Sequence, residues 1–480
     1  MNSRLKYLFK NTGILVLSGF ASKLLGFFLV PLYTSVLSTE EFGKYDIIVS
    51  TLTILLPIVT LNIADAVMRF SMEKEKDPHN AAAVGLRFVV TGTVIVALLS
   101  LIIEYTPLYK YVEGFRAITV FYFIAIAFNS YFTQLAKGNE RVLDMGIAGI
   151  IGTVATLTAN ILLLLVFRMG LKGFFYAGII GSAVPDIYYF LRLKTWQYFK
   201  TSVIKKGYIK EMIYYSVPLA LVVIGWAVNS NFDKYMVTAF CGLAANGLLA
   251  IAYKIPNILN AFQGIFNQAW QISAISEYKS DDSGEFYRTM ITYSLSVSSV
   301  LSALLIILTR PIASLLYAKE FYEAWQYVPF LLISFLFNFA AGIIGPILSA
   351  KMDSKTMAKS AAGGIVVNIV LNYILIKAIG VQGVTIATAV SSFCIFIIRR
   401  IAIKDILKIK DDITIIISAV LLSALATVEI VLQNYIAELC LLLVIIGLNR
   451  KLIKAVLTIL KKNTKEKASN EDSGSCTDKT

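Results

Sequence analysis

Apolar stretches of about twenty residues recur along the whole chain, and each is long enough for a helix to cross roughly 30 Å of hydrocarbon. They fall near 12–37, 45–66, 83–103, 117–136, 146–167, 172–191, 212–240, 246–272, 289–309, 326–350, 361–379, 382–398, 413–432 and 434–448. No loop between them is long enough to fold by itself. The pattern predicts an all-α polytopic membrane protein of about 14 transmembrane helices. Composition agrees: 57% of residues are apolar and 15% are charged, against about 25% charged in soluble domains. The first stretch exceeds the roughly 7–15 residues of a signal-peptide core and lacks a small-residue cleavage site, so it reads as a retained helix.

A net charge of +14 would suit a nucleic-acid partner only if it were gathered on one surface. Here the basic residues are spread over loops, and alternate loops carry about four times as many as the rest. That bias predicts both termini on the cytoplasmic side and no nucleic-acid function. Cys241, Cys394, Cys440 and Cys476 show no metal-ligand or CxxC spacing, so neither a metal site nor a structural disulfide is expected. The polar tail 461–480 is expected to be disordered and cytoplasmic.

The chain repeats internally. Gly152 matches Gly364 and Asn160 matches Asn372, and Gly170-Leu-Lys-Gly173 matches Gly380-Val-Gln-Gly383. More weakly, Lys6 matches Lys210 and Gly43 matches Gly247. Six crossings are an even number, so both copies enter the membrane in the same direction. The expectation is two parallel six-helix lobes, 1–200 and 201–400, with a central site between them. Two extra C-terminal helices, 401–460, stand outside the repeat.

Polar residues inside spans are costly, about 2.5–3.5 kcal/mol for a mid-membrane lysine on insertion scales. Lys23 lies in the middle of the first span. In the eighth span Lys254, Asn257, Asn260, Gly264, Asn267 and Gln271 step by three or four residues and share one helical face. Such a face lines a wet groove or makes polar helix contacts. In the seventh span Asp233 and Lys234 are adjacent. At about 1.5 Å rise per residue Asp233 and Lys254 come to similar depth, so an Asp233–Lys254 pair is expected. Asp65 and Arg69 close the second span, and snorkelling accounts for Arg69 as well as a ligand role does. Asp186, after Pro185, reads as capping a kink; Glu429 lies outside the repeat, and His79 sits in a loop. Pro31, Pro57, Pro218, Pro256 and Pro346 are expected to bend or break their helices. No Walker loop, metal cluster or nucleophile motif occurs, which leaves no catalytic residue and no cofactor to assign.

Several segments resemble Wzx-type polysaccharide flippases of the multidrug/oligosaccharidyl-lipid/polysaccharide exporter superfamily. They are Asn11-Thr12-Gly13 with GFASKLLGFFLVPLYTSVLSTEEFGKYDI after it, and LNIADAVMRF over Leu61–Phe70. Ser216-Val217-Pro218, Phe232-Asp233-Lys234-Tyr235 and Ala252-Tyr253-Lys254 resemble the start of the family's second lobe. The resemblance implies alternating access, a cationic central site and transport of undecaprenyl-pyrophosphate-linked oligosaccharide across the bacterial cytoplasmic membrane. It implies Lys23, Arg69 and Lys254 as cationic residues that attract the pyrophosphate; the polar face of the eighth span adds Asn257 and Asn267 as expected substrate contacts, and the intramembrane charges Asp233, Lys234 and Asp65 are expected in coupling or ion pairs. The implied partners are the lipid-linked oligosaccharide, membrane lipids, and a polysaccharide polymerase with other assembly proteins. Two other readings stay open: a multidrug exporter of the same superfamily, and a membrane polysaccharide polymerase or ligase. Drug exporters favour acidic or aromatic sites, and polymerases carry a large outer loop that this chain lacks.

Overall fold

The computed structural model describes residues 26–73, 78–106, 109–200, 206–279, 283–404 and 412–449. Lys23 and the expected tail lie outside these residues. Every regular element among those described is helical.

In chain order the helices are α1 (Val30–Val36), α2 (Thr39–Val59), α3 (Ile63–Ser71), α4 (Pro78–Ile102), α5 (Arg116–Gly138), α6 (Val142–Asn160) and α7 (Gly170–Arg192). They continue as α8 (Lys206–Cys241), α9 (Leu243–Ala252), α10 (Lys254–Ser276), α11 (Ser283–Ile307) and α12 (Thr309–Leu316). The series ends with α13 (Val328–Ala350), α14 (Ser354–Ile379), α15 (Val381–Ala402), α16 (Asp412–Thr427) and α17 (Tyr435–Leu448). Ten helices among the described residues are long and apolar enough to span a membrane, and Gly26–Val36, Leu243–Ala252, Ile416–Leu432 and Tyr435–Leu448 are shorter apolar ones. Large apolar side chains such as Leu221, Trp226 and Leu443 are about two-thirds exposed (67%, 66% and 66%). In water that surface is unfavourable; in lipid it is the contact surface. The protein is a multi-pass, all-helical membrane protein.

Among the described residues the chain forms two compact units. One takes in the residues up to Phe262 with Ala313–Ala324 and Leu375–Val384; the other takes in Gln263–Ile312, Trp325–Ile374 and the residues from Thr385 onward.

Two expected spans are interrupted. The second stops at Val59, because Leu61 and Asn62 turn to left-handed backbone (φ +50° each) and α3 then starts afresh. Asn62 secures the break by donating to Asp65 Oδ2 at 2.6 Å. The eighth divides at Tyr253 into α9 and α10. Pro256 supplies the physical cause: it offers no N–H to Ala252, and its ring crowds that carbonyl. By contrast α8 runs unbroken past Pro218 for 36 residues. At the start of α2 the sequence Ser-Thr-Glu-Glu forms a capping box. Ser38 Oγ accepts from the Glu41 amide at 3.2 Å and Glu41 Oε2 accepts from the Ser38 amide at 2.9 Å.

Residues matched by the repeat occupy matched structural roles. Gly170 and Gly380 both take positive φ (+54° and +60°). Added methyl groups at Gly173 and Gly383 would press on the carbonyls of Leu163 and Leu375. Asn160 and Asn372 are both buried, and each leaves its Oδ1 without a hydrogen-bond partner. Gly152 closes α6 on Pro185 of α7, and Gly364 closes α14 on Ile395 of α15.

Candidate functional site

The first unit gathers a polar cluster where α2, α8 and α9 meet. Lys234 Nζ, from α8, pairs with Asp46 Oδ1 of α2 at 2.9 Å and donates to Ser50 Oγ at 3.1 Å. Both side chains are mostly enclosed, 19% and 17% exposed. Asn246 of α9 donates through Nδ2 to Asp46 Oδ2 at 3.3 Å and to the Gly43 carbonyl at 3.2 Å. Its Oδ1 is buried and unpartnered. The helices approach closely enough for this because α2 and α9 cross at Gly43 and Gly247. A Cβ on either glycine would overlap backbone of the opposite helix.

Lys254, the first residue of α10, points its ammonium at two aromatic faces. Nζ stands 5.8 Å from the Tyr33 ring centroid and 5.9 Å from that of Phe42. Those rings stack on each other at 5.1 Å and adjoin Phe174. The carboxylate whose field reaches Lys254 is Asp46, already engaged by Lys234. Among the described residues Lys254 makes no ion pair. The expected Asp233–Lys254 pair is therefore replaced. Asp233 is buried and accepts from Tyr253 Oη at 3.0 Å. Similar depth is expected of one continuous helix; with the break at Tyr253, Lys254 lies over Tyr33 of α1 and Phe42 of α2, and Tyr253 takes Asp233.

The remaining expected residues are placed less centrally. Asp65 accepts from Asn62 and from Gln134 Nε2 at 2.5 Å. Arg69 is half exposed and lies 3.9 Å from Glu73. Asn257 is exposed on α10 and accepts a 3.4 Å bond from Asn260. Asn267 belongs to the second unit, where its amide abuts Gly342 of α13 and its Oδ1 is buried without a partner. Asp46, Asn246 and Tyr33 were not singled out from the sequence. Asp46 is an acid at the start of an apolar span, which is the signal that marks it. Among the described residues no cluster of His, Cys, Asp and Glu is suited to a metal ion.

The sequence profile described as "Polysaccharide biosynthesis protein" matches residues 8–275, more than half of the 480-residue chain. The chain belongs to the polysaccharide biosynthesis protein family. A second profile, MatE, matches residues 218–374. Membership makes this a membrane transporter of the multidrug/oligosaccharidyl-lipid/polysaccharide exporter superfamily, not an enzyme. No curated protein matches the chain in sequence. The fold is similar to solved structures of that superfamily. The lipid II flippase MurJ in an inward closed conformation aligns with a TM-score of 0.69 at 15% identity, covering 92% of this chain and 98% of that one. An inward-facing multidrug-resistance MATE transporter aligns at 0.63 and 12% identity, covering 81% and 95%. The Vibrio cholerae MATE transporter VcmN, as a point mutant, aligns at 0.53 and 14%, covering 83% and 97%. At these identities the likeness carries the fold, and the site must be argued from the residues above.

Proposed function

We propose that the protein is an alternating-access flippase that moves undecaprenyl-pyrophosphate-linked oligosaccharide from the cytoplasmic to the outer leaflet of the bacterial cytoplasmic membrane. In this reading about fourteen crossings form two parallel lobes, 1–200 and 201–400, with 401–460 as an appendage and both termini cytoplasmic. The observation that carries it is Lys254. Asp46 neutralises Lys234, whereas Lys254 is held against two aromatic faces with no ion pair among the described residues. Withdrawing a cation from water costs several kcal/mol. Cation–π contact returns only about 0.5–2 kcal/mol. The shortfall is recovered when an anion arrives, so the site is tuned to accept negative charge, as a pyrophosphate or an acidic sugar presents. A cationic drug would meet like charge there, which weighs against the multidrug reading. Lys23, Asn257, Asn267 and Arg69 are proposed as further substrate contacts, and Asp65, Asp233 and Lys234 as the charges that pair or couple. A polysaccharide polymerase and assembly proteins are the proposed partners.

The test is deletion followed by analysis of lipid-linked sugars. Complete repeat units should accumulate on the cytoplasmic leaflet. Lys254→Ala and Lys23→Ala should reproduce this at normal protein levels, and Lys254→Arg should be milder. Normal surface glycan with drug hypersensitivity would sink the reading.

A further inference from the structure

In the second unit Arg310 of α12 meets the turn between α16 and α17. Arg310 donates from Nε to Glu429 Oε1 at 2.8 Å and from Nη2 to Glu429 Oε2 at 3.1 Å. The same Nη2 donates to Glu438 Oε1 at 2.8 Å. Both glutamates are fully buried, and the arginine side chain is 11% exposed. Tyr435 and Trp325 shield the guanidinium, with ring centroids 4.3 and 5.8 Å from its carbon.

The charges do not balance. One guanidinium faces two carboxylates, so the fully ionised cluster carries a net charge of −1 on two fully buried side chains. Burying a lone carboxylate charge is too costly to sustain; the group takes up a proton instead. The atom that would carry it is identifiable. Glu438 Oε2 is buried and has no hydrogen-bond partner. Both carboxyl groups accept from the one guanidinium, so two negative charges converge on a single positive one and a proton on either relieves the excess. Arg310, Glu429, Glu438 and Tyr435 are the titratable groups acting at this point. A metal cation fits poorly, because Arg310 already occupies both oxygens of Glu429 and only one carboxylate oxygen is left.

We propose that Glu429 and Glu438 form a proton-binding site, in which one proton on Glu438 holds α16 and α17 closed around Arg310. Loss of the proton leaves two carboxylates in repulsion and loosens the α16–α17 turn. The site lies in the two helices outside the internal repeat and does not depend on what the transporter carries.

Purified full-length protein tests this without a transport assay. Infrared spectra should show a protonated-carboxyl band at neutral pH that titrates away in alkali. Glu438→Gln should remove that band, because the amide replaces the protonated acid and keeps the contact. The folded protein holds one more proton than the unfolded chain, so thermal stability should fall as pH rises through the site's titration. Glu438→Gln should lose most of that shift, and Glu429→Gln should reduce it. If Glu438→Gln does not fold, Glu429→Gln decides the matter through the same band and the same stability shift. A wild type with no titrating carboxyl band, a band untouched by both substitutions, or a stability shift that follows sodium instead of pH overturns the proposal.

Discussion

Gly43 and Gly247 face each other across the α2–α9 crossing in a reciprocal contact. A Cβ built on Gly43 would run into the Leu243 carbonyl, and one built on Gly247 into the Thr39 carbonyl. The same offset in sequence relates Gly43 to Gly247 and Thr39 to Leu243. The two contacts are therefore one contact seen twice, the signature of a local two-fold axis. Alanine gains up to about 1 kcal/mol in helix propensity over glycine. Overpacking against backbone, which cannot rotate away, costs about 1–3 kcal/mol. The clash wins, so Gly43→Ala and Gly247→Ala should each destabilise the protein. Because either methyl widens the same gap, the double substitution should cost clearly less than the sum of the two. Thermal unfolding in detergent measures all three; simple additivity would mean that the helices do not share one crossing.

The spans were legible because hydrocarbon leaves only helices to a chain this apolar. The weak Gly43–Gly247 match was legible as a repeat, but not as a contact, since sequence similarity says nothing of which copies touch. The break at Leu61–Asn62 was hidden because both residues adopt positive φ without being glycine, a conformation that tertiary packing imposes. The Asp46–Lys234 pair joins residues 188 positions apart, and no helical periodicity links them. Arg310 and Glu429 stand 119 positions apart, and Glu429 read only as an acid outside the repeat. Only the packing of α12 on the α16–α17 turn brings them together.

The Asp46–Lys234 pair should behave as a partly buried ion pair. Asp46→Asn leaves the ammonium enclosed without its carboxylate; the loss should fall between about 1 kcal/mol, as for exposed pairs, and about 3–5 kcal/mol, as for fully buried ones. Removing both, as in Asp46→Asn with Lys234→Met, should recover much of that loss. Folded protein yield and thermal stability across the four-membered cycle check this, and a pair at the site's centre should also lower export in both single variants.

Asp233 and Lys254 should prove independent. Lys254 rests on Tyr33 and Phe42, while Asp233 accepts from Tyr253. Asp233→Ala with Lys254→Ala should therefore be additive within about 0.5 kcal/mol, and the second change should not rescue the first. Tyr253→Phe should instead couple to Asp233, costing about 1.5–3 kcal/mol as expected for a hydrogen bond to a charged group. Rescue of Asp233→Ala by Lys254→Ala would restore the direct pair.

The turn between α13 and α14 carries a pH dependence whose sign follows from its hydrogen bonds. Asp353 precedes α14, and Thr356 donates to it twice, from the amide at 3.0 Å and from Oγ1 at 2.7 Å. The hydroxyl and then the amide hold the carboxyl below the usual carboxylate range, with Lys351 and Lys359 adding to the effect. Its folded value lies under its unfolded one, which is about 3.9. The contribution to stability is thus complete above the unfolded value and is lost as pH falls through the folded one. Amide exchange at the first turn of α14 should accelerate in acid below about pH 4. Asp353→Ser keeps an N-cap acceptor without the charge, so it should preserve protection at neutral pH while abolishing the acid step. Asp353→Ala should lose protection at every pH. An acid step that survives in Asp353→Ser would place its origin in another carboxylate.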